Sequence, residues 1–265
     1  MTMRTGLTHS KNMISIRILN KIGAQYGQEY ITRFGFDAEK NPPYLTLALG
    51  AGAVTPLQMV AAYSVFANGG YKINPYLIAK VTNTAGKVIS QAQPEKAGSE
   101  ALRVIDERNA FIMDSMMKDV VRRGTAAKAG QILARHDLAG KTGTTNDSHD
   151  AWFAGYQYKI AGVAWIGYDQ PRNLGSRETG GGLALPIWIG YMQQTLKDIP
   201  VESRSVPAGL IQSGGDFYYA ENPPGTGVRN IGGDEAPTSD DANGSDTEEK
   251  AVAPIFDPAA KTPEK

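Results

Sequence analysis

The sequence predicts an α+β fold, an antiparallel sheet flanked by helices. Three observations carry this. The stretches after Thr55-Pro56 and from Asp106 to Arg122 place small and apolar residues at helical spacing. Leu138 to Tyr168 divides into three short β-prone pieces, the last two joined by a tight turn at Gln157-Tyr158. Pro186 to Leu196 then returns to a helical pattern.

In chain order, residues 8 to 36 read as a loop entering a helix, with Ile14, Ile18, Leu19 and Ile22 on one face and Gly23 ending it. Thr55 is placed to cap the next helix and Pro56 fits its first turn. Leu57, Val60, Ala61 and Ser64 form a narrow stripe, and Asn68-Gly69-Gly70 supplies the stop. Leu77-Val81 and Lys87-Ile89 read as two short strands about Gly86, and 90 to 100 as a polar surface connection. In the Asp106–Arg122 helix, Ala110, Met113, Met117, Val120 and Val121 lie on one side. The three strands that follow carry Lys141-Thr142-Gly143, Ala151–Tyr156 and Ile160–Gly167. The closing helix offers Ile187, Tyr191 and Leu196 for packing on them.

The 27 basic and 27 acidic residues cancel, so no overall field directs the chain to nucleic acid or anionic lipid. With no cysteine, disulfides and thiolate metal sites are excluded. His9, His136 and His149 lack metal-ligand spacing and are expected on the surface. No apolar run reaches the ~18 residues of a membrane helix, and the first residues have no signal-peptide core. Taken literally, the chain would stay in the cytoplasm. Residues 233 to 250 hold seven carboxylates and one lysine. The expected division is therefore a folded part, residues 1–212, and a disordered acidic tail, 213–265.

The chemistry-bearing pieces are Ser10-Lys11-Asn12 and Lys141-Thr142-Gly143-Thr144, the latter followed by Asp150-Ala151-Trp152-Phe153. A Ser-x-Asn loop and a Lys-Thr-Gly strand are two of three motifs lining the acyl-transfer cleft of serine enzymes acting on β-lactams and D-Ala-D-Ala peptides. Acyl transfer needs an activated hydroxyl, a proton shuttle and donors for the oxyanion. An edge strand has outward N–H groups that take up an extended peptide, and Gly143 leaves that approach clear. Lys141 offers a charge for a carboxylate, with the hydroxyls of Thr142 and Thr144 completing its hydrogen bonds. Ser10 can relay a proton, and Asn12 can hold a peptide amide with one donor and one acceptor. Each piece alone is commonplace; Ser10 would equally serve to cap the helix after it.

The third motif, Ser-x-x-Lys, belongs before Ser10, and only nine residues of this sequence precede it. Ser115-Met116-Met117-Lys118 has the spacing but lies downstream in mid-helix, with Ser115 turned from the apolar stripe onto an expected solvated face. Gly140-Lys141-Thr142 is not a phosphate loop, because Arg135 stands where its first glycine belongs. Gly50-Ala51-Gly52 is not a dinucleotide turn, because Thr55 replaces its third glycine.

Together with Gly6-Leu7-Thr8-His9, Phe34-Gly35-Phe36, Thr55-Pro56-Leu57-Gln58, Phe66-Ala67-Asn68-Gly69-Gly70, Gly124-Thr125 and Thr145-Asn146-Asp147, these motifs resemble class A penicillin-binding proteins of the 1A type. The resemblance covers about residues 3 to 220. It implies the penicillin-recognising serine transpeptidase (β-lactamase-like) fold, with its cleft beside the Lys-Thr-Gly strand. It also implies peptidoglycan cross-linking: a serine attacks D-Ala-D-Ala in a stem peptide, expels D-Ala and passes the acyl group to an amine. Ser10, Asn12 and Lys141 match the family's catalytic positions, and Thr142, Gly143 and Thr144 its substrate-binding strand, the Thr144 N–H being one oxyanion donor. The implied partners are stem peptides and β-lactams, with no cofactor and no metal. Intact members face the periplasm from an inner-membrane anchor and carry a glycosyltransferase domain, neither of which has a counterpart in this sequence. The expectation is thus a C-terminal fragment of the transpeptidase domain, inactive alone. The alternatives are a non-catalytic module binding stem peptides or a partner, and a fragment of a β-lactamase or DD-carboxypeptidase.

Overall fold

The computed structural model describes residues 1–176 and 178–226. The chain opens with three short helices: α1 (Met3–Thr8), α2 (Asn12–Ile22) and α3 (Ala24–Thr32). Helix α2 matches the expected one and ends at Gly23, whose φ of 92° suits a glycine. Helix α4 (Pro56–Ala67) starts with a full capping box. Thr55 Oγ1 accepts from the Gln58 N–H, and the Gln58 side chain accepts from the Thr55 N–H.

Strands β1 (Lys80–Thr82) and β2 (Val88–Gln91) form a separate, wholly exposed hairpin, shifted toward the C-terminus from the expected pieces. Leu77, expected to start the first strand, lies outside it and is 97% exposed. Helix α5 (Glu107–Arg123) is capped by Asp106 and followed by α6 (Ala127–Leu133).

The main sheet is β3 (Ala139–Thr144), β4 (Ala151–Gln157) and β5 (Ile160–Ile166), antiparallel in the order β3-β4-β5. Strand β4 is central. Phe153 and Tyr156, an odd number of residues apart, point to opposite faces. Phe153 enters a core with Val120, Leu138, Leu185 and Met192, where Trp188 meets its ring edge-on at 4.8 Å. Tyr156 packs with Met117, Ala139 and Ala67, its hydroxyl donating to the buried Asp114 at 3.0 Å. A third cluster, around Phe34, Val65, Ile105 and Ala110, ties α4 and α5 to the N-terminal helices. The outer edge of β5 floors an apolar groove of about 590 Å³ between α4 and the closing helix α7 (Leu185–Thr195), bordered by Leu57, Trp165, Ile187 and Tyr191.

The structure corrects three expectations. In α7 (Leu185–Thr195), Ile187 and Tyr191 are more than half exposed, whereas Leu185, Trp188, Ile189 and Met192 are buried. Ile187 and Tyr191 extend the apolar surface of this helix beyond its buried side, so composition alone does not set its phase. In α5, Ser115 is not on a solvated face. It is half-buried, and its Oγ accepts from Arg4 Nη2 at 3.0 Å, while Lys118 is paired with Asp114 at 2.9 Å. The expected boundary at 212 falls inside a hairpin, β6 (Leu210–Ser213) and β7 (Asp216–Tyr219), fastened to the body. Phe217 meets Phe111 edge-on at 5.0 Å, Asp216 binds Arg4 at 2.6 Å, and Glu221 binds Arg108 at 2.8 Å. The rest of the expected tail, from 227 onward, lies outside the described residues.

His9 and His136 are exposed and His149 is half-buried. No helix among the described residues is long and apolar enough to cross a membrane, and no described group of His, Asp and Glu has the makings of a metal site.

Candidate functional site

Strand β3 climbs out of the core: Ala139 and Gly140 are buried, Lys141 to Gly143 half-buried and Thr144 exposed. Its partner β4 lies on one side only, so the other edge of β3 is unpaired among the described strands. Such an edge offers backbone donors and acceptors to an extended peptide.

The Ser10 corner is delivered to this strand from the N-terminus. Helix α1 ends at Thr8, Lys11 N–H donates back to Gly6 O at 2.8 Å, and Ser10 sits between in the left-handed region at φ 52°. For a non-glycine residue that conformation costs about 1–2 kcal/mol. It also keeps Ser10 from capping α2, whose N-cap is Lys11 without a side-chain bond. Instead, Lys141 Nζ donates to Ser10 Oγ at 2.7 Å and to Thr142 O at 2.9 Å. Residues 131 apart in sequence thus meet at one bond. Asn12, the first residue of α2, is exposed and makes no side-chain hydrogen bond among the described residues. The Ser115/Lys118 pair does not take part, each being held by other groups.

Burial pushes the Lys141 ammonium down to about 8. With no carboxylate in ion-pair contact among the described residues to restore it, about a tenth of it is neutral at pH 7. A group so poised can exchange a proton with the hydroxyl it holds, and in its charged form it attracts a carboxylate.

Two flanking elements carried too little signal in the sequence to be counted as site components. Thr125 Oγ1 lies 2.7 Å from Thr142 Oγ1. It is brought there by the α5–α6 turn, where Thr125 N–H donates to Thr8 O at 3.3 Å. Gly124 permits this: a Cβ there would fall 2.3 Å from Thr8 O. On the other flank, the π-type turn Gly180–Ala184 lies against β3, with Gly180 N–H donating to Thr144 Oγ1 at 3.1 Å. A Cβ on Gly180 would come within 2.3 Å of the Gly143 and Trp152 carbonyls. The run Gly180-Gly181-Gly182 was the available signal; Thr125 had only its place in a family motif.

Serine, lysine and threonines thus meet along one edge strand, and residues 1–187 match the family described as the penicillin binding protein transpeptidase domain. The chain belongs to this transpeptidase family. A penicillin-binding protein 1A from Neisseria lactamica is 47% identical over 221 residues, covering 83% of this chain and 28% of the relative. The crystal structure of penicillin-binding protein 1A from Haemophilus influenzae superposes with a TM-score of 0.75 at 32% identity, over 83% of this chain and 39% of that one. PonA1 from Mycobacterium tuberculosis, in complex with penicillin V, gives a TM-score of 0.52 at 26% identity over 71% of this chain and 49% of that one. This transpeptidase chain therefore spans less than a third of the Neisseria relative's length.

Proposed function

We propose that this chain forms one wall of a peptidoglycan cross-linking cleft working by serine acyl transfer on D-Ala-D-Ala stem peptides. The Ser10–Lys141 contact beside an unpaired strand edge carries this reading. In it, a stem peptide lies along β3, with its terminal carboxylate at Thr142, Thr144 and the Lys141 charge, and an amide held by Asn12. The attacking serine oxygen adds to the penultimate D-Ala carbonyl, whose oxyanion takes the Thr144 N–H. The C–N bond then breaks, and D-Ala leaves with the proton relayed through Ser10 and Lys141. An amine of a second stem attacks the ester and frees the serine. β-Lactams enter the same groove, their ring C–N bond taking the place of the peptide bond.

The sequence holds one Ser-x-x-Lys, at 115–118, and its two polar side chains are engaged elsewhere. The nucleophile is accordingly assigned to a segment this sequence does not contain, and the chain alone is inactive. The full protein would work on the periplasmic side of the inner membrane.

The test is heteronuclear NMR titration of the chain with a D-Ala-D-Ala peptide. Saturable shifts at the Thr142–Thr144 amides, lost in Lys141→Ala, are expected; shifts confined elsewhere, or none, overturn the reading. A fluorescent penicillin should leave no covalent band. A band abolished by Ser115→Ala would move the nucleophile to α5.

A further inference from the structure

Helix α1 has six residues, too few to hold itself in water, so tertiary anchors must fix it and the Ser10 corner that follows. Its strongest anchor is Arg4, whose guanidinium is buried with four bonds. Nε donates to Asp216 Oδ1 at 2.6 Å, Nη1 to Asp119 Oδ2 and to Ser115 O at 3.0 Å each, and Nη2 to Ser115 Oγ at 3.0 Å. Two separate elements therefore converge on one side chain of α1: α5, through Ser115 and Asp119, and hairpin β6–β7, through Asp216. Thr8 Oγ1 donates to Arg4 O at 2.8 Å, carrying the hold to the end of the helix. Two residues on stands Ser10, in a backbone conformation that leaves little freedom to compensate for a shift of α1.

We propose that Arg4 is a positioning residue for Ser10, and that hairpin β6–β7, through Asp216, is part of the framework that sets the Ser10–Lys141 contact. This rests on the acyl-transfer reading for its functional meaning, but the contact itself is measurable without turnover. A hydrogen bond of 2.7 Å weakens when its partners separate by a few tenths of an ångström. Loosening either end of the Arg4 clamp should therefore expose Lys141.

The experiment is a ¹³C NMR titration of lysine Cε signals in the whole chain, with Lys141 assigned by Lys141→Arg. The wild-type midpoint is expected near 8. In Asp216→Asn and in Arg4→Met it should rise by roughly one pH unit or more toward an ordinary lysine. Arg135→Met is the control. It breaks a comparable buried cluster, with Asp137 and the carbonyls of Ile199 and Pro200, and should lower the melting temperature without moving Lys141. Should Arg4→Met fail to fold, Asp216→Asn still decides, since it leaves Arg4 its bonds to Asp119 and Ser115. An unchanged Lys141 midpoint in folded Asp216→Asn, or an equal rise in Arg135→Met, overturns the proposal. Either result leaves the peptide titration standing, because that reads the β3 edge directly.

Discussion

Replacing Lys141 by methionine makes the cost of its burial visible as a pH-dependent stability difference. The folded ammonium titrates at about 8 against an ordinary 10.5. Each pH unit of such a gap is worth about 1.4 kcal/mol, so burial of the charge opposes folding by up to about 3 kcal/mol. Below pH 8 both folded and unfolded chains carry the proton, and the cost is present in full. Between about 8 and 10.5 the unfolded chain binds more protons than the folded one. Wild-type stability therefore gains with pH across that window. Lys141→Met has no such gain. Tyr63 and Tyr156, whose hydroxyls burial pushes up, act the opposite way above pH 10. They do so in both proteins, so the difference between the two cancels them. Urea denaturation at pH 7, 8, 9 and 10 measures it. At pH 7 the variant should match or exceed wild type, the relief being reduced by two lost hydrogen bonds of roughly 1 kcal/mol each. By pH 10 wild type should have gained about 2–3 kcal/mol on it. Parallel profiles would show that Lys141 is not buried beneath Ser10, and the poised-lysine account would fall.

Three other outcomes are expected. Gly180→Ala forces a methyl onto the Gly143 and Trp152 carbonyls; it should cost about 1–3 kcal/mol in denaturant titrations and abolish peptide shifts at Thr142–Thr144. Thr125→Val removes the hydroxyl beside Thr142 at an exposed position; melting should be nearly unchanged while D-Ala-D-Ala affinity drops about 5- to 10-fold by calorimetry. Phe153→Ala empties the contact with Trp188 in the main core and should destabilise by about 3–5 kcal/mol, read from chemical unfolding.

What could be seen in the residues beforehand follows a physical division. Helix α4 was legible because Thr55, Pro56 and Gln58 make its start through local bonds. The β3–β5 meander was legible because its hairpins join neighbours in sequence. Helices α1 and α3 were not, being short; α1 is held by a distant contact, Arg4 meeting Asp119 at a separation of 115 residues. Hairpin β6–β7 was hidden for the same reason, its anchor Asp216 meeting a partner 212 residues away. In the site, Ser10 and Lys141 could be associated only through motif resemblance, since nothing local links them. Thr125 acquires its place in the site from the hydroxyl opposite it, and beyond the Gly124-Thr125 motif nothing in the sequence pointed to it.

The bare flank of β5 bears on how this molecule behaves in a tube. Among the described strands its outer rim has no partner, and it lies between two greasy walls formed by α4 and α7; the formal charge of the chain is zero at neutral pH. Molecules with no mutual repulsion can join rim to rim, each lengthening the other's sheet. Crowding, more than warmth, is then the stress to which such a preparation would yield first.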